Sequence, residues 1–192
     1  MKRFDNIVLV LFIVAAPVAF LTIPDCRARP SHTSDKEAWQ RVPGVPNTSP
    51  DWRHLQVENK RLGKRGYLSM RTGFPDNTER SALTYVVKLR TSYEGDERGL
   101  PTPQDRSRWD KLEQALAAMP DDPHESMCVL VSYQDQEKEW TYYARDGEGF
   151  KSHVSSIVSS DPSCQLVILV DRDPTWFYYT DLRDGVLSRD PQ

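Results

Sequence analysis

Residues 81–93 read SALTYVVKLRTSY, and the reading of this stretch decides the fold. Leu83, Tyr85, Val87 and Leu89 alternate with Thr84, Val86, Lys88 and Arg90. A period of two places the first set on one face of a strand. Gly95 and Gly99 end that strand, and Gly99-Leu100-Pro101 leads into a helix. Thr102 is a capping residue, Pro103 suits the first helical position, and Asp105 stands where a capping box places its acid. Trp109, Leu112, Leu116 and Met119 then recur on one helical face, and Pro120 and Pro123 stop the helix.

Downstream, Met127–Gln134 and Glu139–Arg145 read as two strands joined by the polar turn Asp135-Gln136-Glu137-Lys138. Asp146, Gly147 and Gly149 open a second helix with an apolar stripe of Phe150, Val154, Ile157 and Val158, closed by Asp161-Pro162. Cys164–Val170 is the last strand. It is apolar on both sides from Leu166 to Val170, which predicts cover on both faces. Upstream, Leu55–Phe74 reads as a hairpin whose turn is punctuated by Gly63 and Gly66. The order strand-helix-strand-strand-helix-strand predicts an α+β fold, a ferredoxin-like βαββαβ sandwich with an additional N-terminal β-hairpin. In that topology Cys128 and Cys164 sit on opposite edge strands. At about 4.8 Å per strand they lie roughly 14 Å apart, too far to bond.

The N-terminus is different material. Ile7–Ile23 is apolar but for Pro17 and Thr22 and follows Lys2 and Arg3, the pattern of an export signal or membrane anchor over residues 1–28. A proline-rich linker follows at 29–50, then an α+β domain at 51–183 and a C-terminal tail at 184–192. A folded part of roughly 140 residues buries about two-thirds of its unfolded surface, enough for a core without staples. Localisation is expected to be extracytoplasmic, periplasmic or secreted, or anchored to the membrane by residues 7–23. The net charge of −3 argues against a generic nucleic-acid binder, since phosphate affinity rests on Lys and Arg.

No residue set amounts to an active site. His32, His54, His124 and His153 are scattered without ligand spacing. Asp171 and Asp173 flank Arg172 at a spacing that could hold a hard cation, but an aspartate-proline turn in which Asp173 takes local backbone amides is the preferred reading. Gly147-Glu148-Gly149 reads as a glycine-rich helix entry, since Glu148 would repel a phosphate. Lys60, Arg61, Lys64 and Arg65 gather at the hairpin turn, where cations touch phosphate or lipid or resist edge pairing. Trp140 and Tyr142 share one face of a strand while Tyr143 and Arg145 share the other; these form a possible binding surface, with core packing as the preferred alternative. Trp176, Tyr178 and Tyr179 are expected to clamp the C-terminal segment onto the domain. No cofactor and no metal is expected.

Four features taken together resemble an uncharacterised group, domain-of-unknown-function family 695. They are Gly99-Leu100-Pro101, Trp109-Asp110-Lys111-Leu112-Glu113 with Ala115-Leu116, Tyr142-Tyr143-Ala144-Arg145-Asp146, and Asp173-Pro174-Thr175-Trp176 with Tyr179. The resemblance implies no established activity. Similar domains can sit beside a segment resembling a protein inhibitor of ribonuclease E, which implies regulation by protein binding. With no catalytic set, an aromatic-bearing sheet and two sheet edges open to pairing, the expected function is an exported or membrane-tethered, non-catalytic interaction domain whose partner is another protein, with no specific nucleic acid and membrane contact only through the N-terminal segment. The alternatives are a hydrolase acting on a polar envelope substrate, with Asp171 and Asp173 near His153, and a nucleic-acid- or lipid-contacting module using the basic turn.

Overall fold

The computed structural model describes residues 51–59, 64–119, 122–159 and 165–188. The leader, the linker, Lys60, Arg61 and Cys164 lie outside them. The described residues form a mixed α/β fold. Its strands are β1 (Trp52–Asn59), β2 (Lys64–Arg71), β3 (Tyr85–Ser92), β4 (Ser126–Gln134), β5 (Glu137–Ala144) and β6 (Val167–Arg172). The helices are α1 (Pro103–Ala118), α2 (Gly147–Ser159) and α3 (Phe177–Leu187). All six strands join one antiparallel sheet in the order β1-β2-β4-β5-β3-β6.

β3 and β5 lie inside the sheet and bury side chains on both sides, because helices pack on both faces. On one face Val87, Leu89, Val131, Trp140 and Tyr142 meet Trp109, Leu112 and Leu116 of α1 and Phe150 and Val154 of α2. On the other, Leu68, Met70, Val86, Met127 and Tyr143 meet Trp176 and Tyr179. Helix α1 begins as its sequence dictates. The Thr102 hydroxyl accepts from the Asp105 amide, and the Asp105 carboxylate accepts from the Thr102 amide. That carboxylate also accepts from the amides of Glu94 and Gly95, tying the β3–α1 loop to the helix end. Burial works to raise the Asp105 carboxyl, but these hydrogen bonds outweigh it and leave it below the ordinary range. At α2, a Cβ on Gly147 would come within 2.6 Å of Val170 Cγ1 and 3.0 Å of Tyr85, so glycine is what lets the helix start against β3 and β6.

Five expectations need correction. First, β4 is not an edge: β2 pairs with it, and β1 takes the outer position. β5 and β3 stand between β4, which carries Cys128, and β6. Second, the turn between β4 and β5 is only Asp135-Gln136, both with left-handed φ of 53° and 64°. Glu137 and Lys138 belong to β5. Third, Gly66 is no turn residue but lies inside β2 opposite Val57, where a Cβ would meet Tyr133 O at 2.6 Å. Fourth, β6 is covered on one face only. Ile168 and Val170 pack inward, while Val167 and Leu169 are 58% and 40% exposed. Fifth, a third helix occupies residues expected to be domain end and tail, and α3 runs past residue 183.

Candidate functional site

Three arrangements of side chains stand out, and each begins in the sheet register. The first surrounds Lys138. Its side chain points from β5 to the face covered by α1 and is wholly buried. The ammonium lies 4.6 Å from the Trp109 ring centroid, 4.4 Å from Tyr133 and 4.5 Å from Trp140. Its Nζ contacts Glu113 Oε1 and donates to the Tyr133 hydroxyl at 2.6 Å. Glu113 is itself only 1% exposed, and its Oε2 accepts no hydrogen bond from any of the described residues. Burial raises the Glu113 carboxyl and lowers the Lys138 ammonium, each against the pull of the other's charge, so both are pushed toward neutrality.

The second arrangement holds α3. Asp173 accepts from the amides of Phe177 at 2.9 Å and Tyr178 at 3.0 Å, from the Thr175 hydroxyl at 3.3 Å and from the Tyr143 hydroxyl at 2.6 Å. The Trp176 ring stacks on Tyr143 at 3.9 Å and 10°, and its indole N–H donates to the carbonyls of Arg80 and Leu83. The Arg80 guanidinium lies over Phe74 and Trp176. The Tyr179 hydroxyl donates to Arg71 O at 2.8 Å. Asp173 therefore makes the turn expected of it, and burial, which would raise its carboxyl, is outweighed by four donors that leave it below the ordinary range.

The third is the outer edge of β6. The Asp173 amide donates to Thr84 O at 2.8 Å, which sets the phase of the β3–β6 ladder. Alternate residues of an antiparallel pair exchange hydrogen bonds. Val167, Leu169 and Asp171 thus bond inward to β3, while Ile168, Val170 and Arg172 direct their N–H and C=O groups outward. Among the described residues no strand pairs with that side. Leu169 faces Lys88 and Val167 faces Arg90 across the register. Lys88 Nζ sits 3.4 Å from the Tyr178 ring centroid, and burial lowers it below the usual lysine value. Arg90 binds Glu139 at 2.6 Å, and Glu139 also accepts from Thr141 at 2.8 Å. The exposed apolar residues of β6 are thus bordered by a row of polar side chains.

The candidate binding residues are distributed between these places. Trp140, Tyr142 and Tyr143 are 2%, 7% and 0% exposed, so all three rings pack the layers and none faces solvent. Arg145 is exposed; its Nε donates to His124 O at 2.7 Å and faces Glu125. Of the basic turn, Lys64 lies against Gly99 and donates to Glu97 O at 3.3 Å, and the Arg65 amide donates to Arg98 O. His153 is exposed on α2, on the opposite side of the sheet from Asp173 and α3, so the His153–Asp171–Asp173 set is not brought together. A hollow of about 200 Å³ beside the α1 N-terminus is lined by Tyr93, Asp105, Arg108 and Trp109 among others, below the roughly 300 Å³ at which small-molecule sites begin. Among the described residues no three His, Cys, Asp or Glu side chains gather to hold a metal ion, and no helix is long and apolar enough to cross a membrane.

The model of a family of unknown function, DUF695, matches residues 63–182. The chain belongs to this family. No curated protein and no solved structure matches it. Within the DUF695 match, the four features noted in the sequence now have structural roles. Gly99 adopts φ of 83° in the loop before α1. Trp109 and Glu113 enclose Lys138, Tyr143 receives α3, and Asp173, Trp176 and Tyr179 fasten that helix. Sequence reading missed Lys138 because a lysine beside a turn reads as solvated. The available signal was Glu113, an acid at helical spacing among Trp109, Leu112 and Leu116.

Proposed function

We propose that this chain is a non-catalytic protein-binding module, exported or tethered outside the cytoplasmic membrane by residues 1–28, and that its partner adds an extended segment to the outer edge of β6. The observation that carries the reading is that edge, unpaired among the described residues, with Val167 and Leu169 exposed beside it. An open edge is a template for a further strand: main-chain hydrogen bonds supply affinity, and alternate side chains supply choice. A fitting segment is apolar at the positions beside Leu169 and carries charge toward Arg90 and Glu139.

We also assign the fold to the ferredoxin-like class, extended by an N-terminal hairpin. Supporting this, β6-β3-β5-β4 follow one another in the sheet, with α1 between β3 and β4 in sequence and α2 between β5 and β6. β1 and β2 pair in register from Trp52↔Arg71 to Asn59↔Lys64.

The test is capture from envelope extracts by the wild-type protein and by a Val167→Lys/Leu169→Lys variant. Both substituted side chains are exposed, so the fold should be retained. The reading expects a partner held by the wild type and lost by the variant. Equal capture by both, or turnover of a substrate by the purified protein, would overturn it. N-terminal sequencing of protein from fractionated cells tests the compartment, and an unprocessed chain in the cytosol would contradict export.

A further inference from the structure

We propose that the Lys138–Glu113 contact is a site of covalent modification, at which the two side chains condense to an intramolecular amide linking β5 to α1. Three observations point there. The reacting groups are in direct contact in the interior, Lys138 wholly buried and Glu113 1% exposed. Three aromatic rings lie within 4.6 Å of the nitrogen, which is shut off from bulk solvent. Glu113 Oε2 is a buried acceptor with no hydrogen-bond partner among the described residues, which is costly to retain as a carboxylate oxygen.

The chemistry balances without an oxidant or a co-reactant. A proton passes from the Lys138 ammonium to the Glu113 carboxylate, giving an amine and a carboxylic acid. Burial favours this neutral pair, since each charge has lost its hydration. The amine lone pair attacks Glu113 Cδ, the Nζ–Cδ bond forms, and the Cδ–Oε2 bond breaks. The departing hydroxyl takes one proton from nitrogen, and one water leaves. The Tyr133 hydroxyl, 2.6 Å from Nζ, accepts from the nitrogen and holds it in place against Glu113. The product retains one N–H, which donates to Tyr133, and one carbonyl oxygen. The oxygen expelled is the one that had no partner, and both buried charges vanish with it.

A tryptic digest of the full chain under denaturing conditions decides the matter. No lysine or arginine lies between Lys111 and Lys138. An unlinked chain therefore releases Leu112–Lys138 and Glu139–Arg145 as separate peptides of the masses their sequences require. The amide blocks cleavage at Lys138 and yields Leu112–Arg145 as one peptide, lighter by one water. This peptide ends before Asp146-Gly147, whose own cyclisation would also expel water. Cyanogen bromide cleavage at Met119 and Met127 should then leave the segments carrying Glu113 and Lys138 joined, whereas a merely missed tryptic cut leaves them apart. Glu113→Ala should restore cleavage at Lys138 and the unaltered mass. Separate wild-type peptides of unaltered mass, both in fresh protein and after prolonged incubation at neutral pH, would overturn the proposal.

Discussion

Replacing Asp173 by alanine should loosen α3 from the sheet, and the size of the effect follows from what the carboxylate holds. It caps two helical amides, those of Phe177 and Tyr178, and loss of such a cap costs roughly 0.5–2 kcal/mol. It also accepts from the Tyr143 hydroxyl, which belongs to a fully buried residue; orphaning that donor costs about 1–3 kcal/mol. Asp173 is itself only half-buried, so water reaches part of the helix end, and the capping loss should fall near its lower limit. The expected total is about 2–3 kcal/mol, a fall in Tm on the order of 10 °C. Urea titration followed by circular dichroism should show a lower midpoint at an unchanged slope. Tyr143→Phe in the Asp173→Ala background should cost less than in the wild type, because the bond to Asp173 is already broken and only the one from the Tyr179 amide to the Tyr143 hydroxyl, at 3.2 Å, is newly lost. An Asp173→Ala protein within about 0.5 kcal/mol of wild type, the range of an ordinary surface change, would refute the reasoning.

Other expectations follow from the same structure. Asp96, Asp105 and Asp173 all have folded values below the ordinary 3.8, so each contributes stability above that pH which is lost as pH falls through its folded value. Unfolding free energy should therefore decline on acidification below about pH 4, and Asp105→Asn should flatten that decline; an unchanged pH profile would contradict the assigned hydrogen bonds. Gly147→Ala should destabilise by about 1–3 kcal/mol through the clash with Val170 and Tyr85, read as a shift in denaturant midpoint, and a neutral result would contradict the close approach of α2 to the sheet. Trp176→Phe keeps a ring on Tyr143 but removes the indole donor to the carbonyls of Leu83 and Arg80, the latter keeping the Leu83 amide at 3.2 Å. It should lower Tm and speed amide exchange in α3 more than in α1; equal acceleration in both helices would contradict a local role.

Much of this fold was legible because local and long-range signals agree. Thr102, Pro103 and Asp105 announce α1 by side-chain chemistry that operates within one turn, and the helix forms there with its capping box complete. Asp173 was readable for the same reason. Lys138 was not, since its type predicts solvent while its partner lies on another element, 25 residues away in sequence. Helix α3 escaped because its entry is irregular. Trp176 takes a left-handed φ of 57° with no side-chain cap of its own, and the cap comes instead from Asp173. The spacing of Tyr179, Leu182 and Val186 carried the helical signal. The unbroken apolar run of β6 suits a strand covered on both faces, but β6 is the last strand of the sheet order and its Val167 and Leu169 are exposed. The aromatics Trp140 and Tyr142 share a face as their spacing requires, but spacing does not say that α1 and α2 lie over it.

The reading of this protein as a binding module rests on a β6 edge that no described strand pairs, and residue-resolved amide exchange on the free full-length chain tests it most directly. The account predicts alternation, with slow exchange at Leu169, Asp171 and Asp173, whose amides face β3, and fast exchange at Ile168, Val170 and Arg172, whose amides face outward. Slow exchange at all six would mean that the edge is already covered, and would contradict the account.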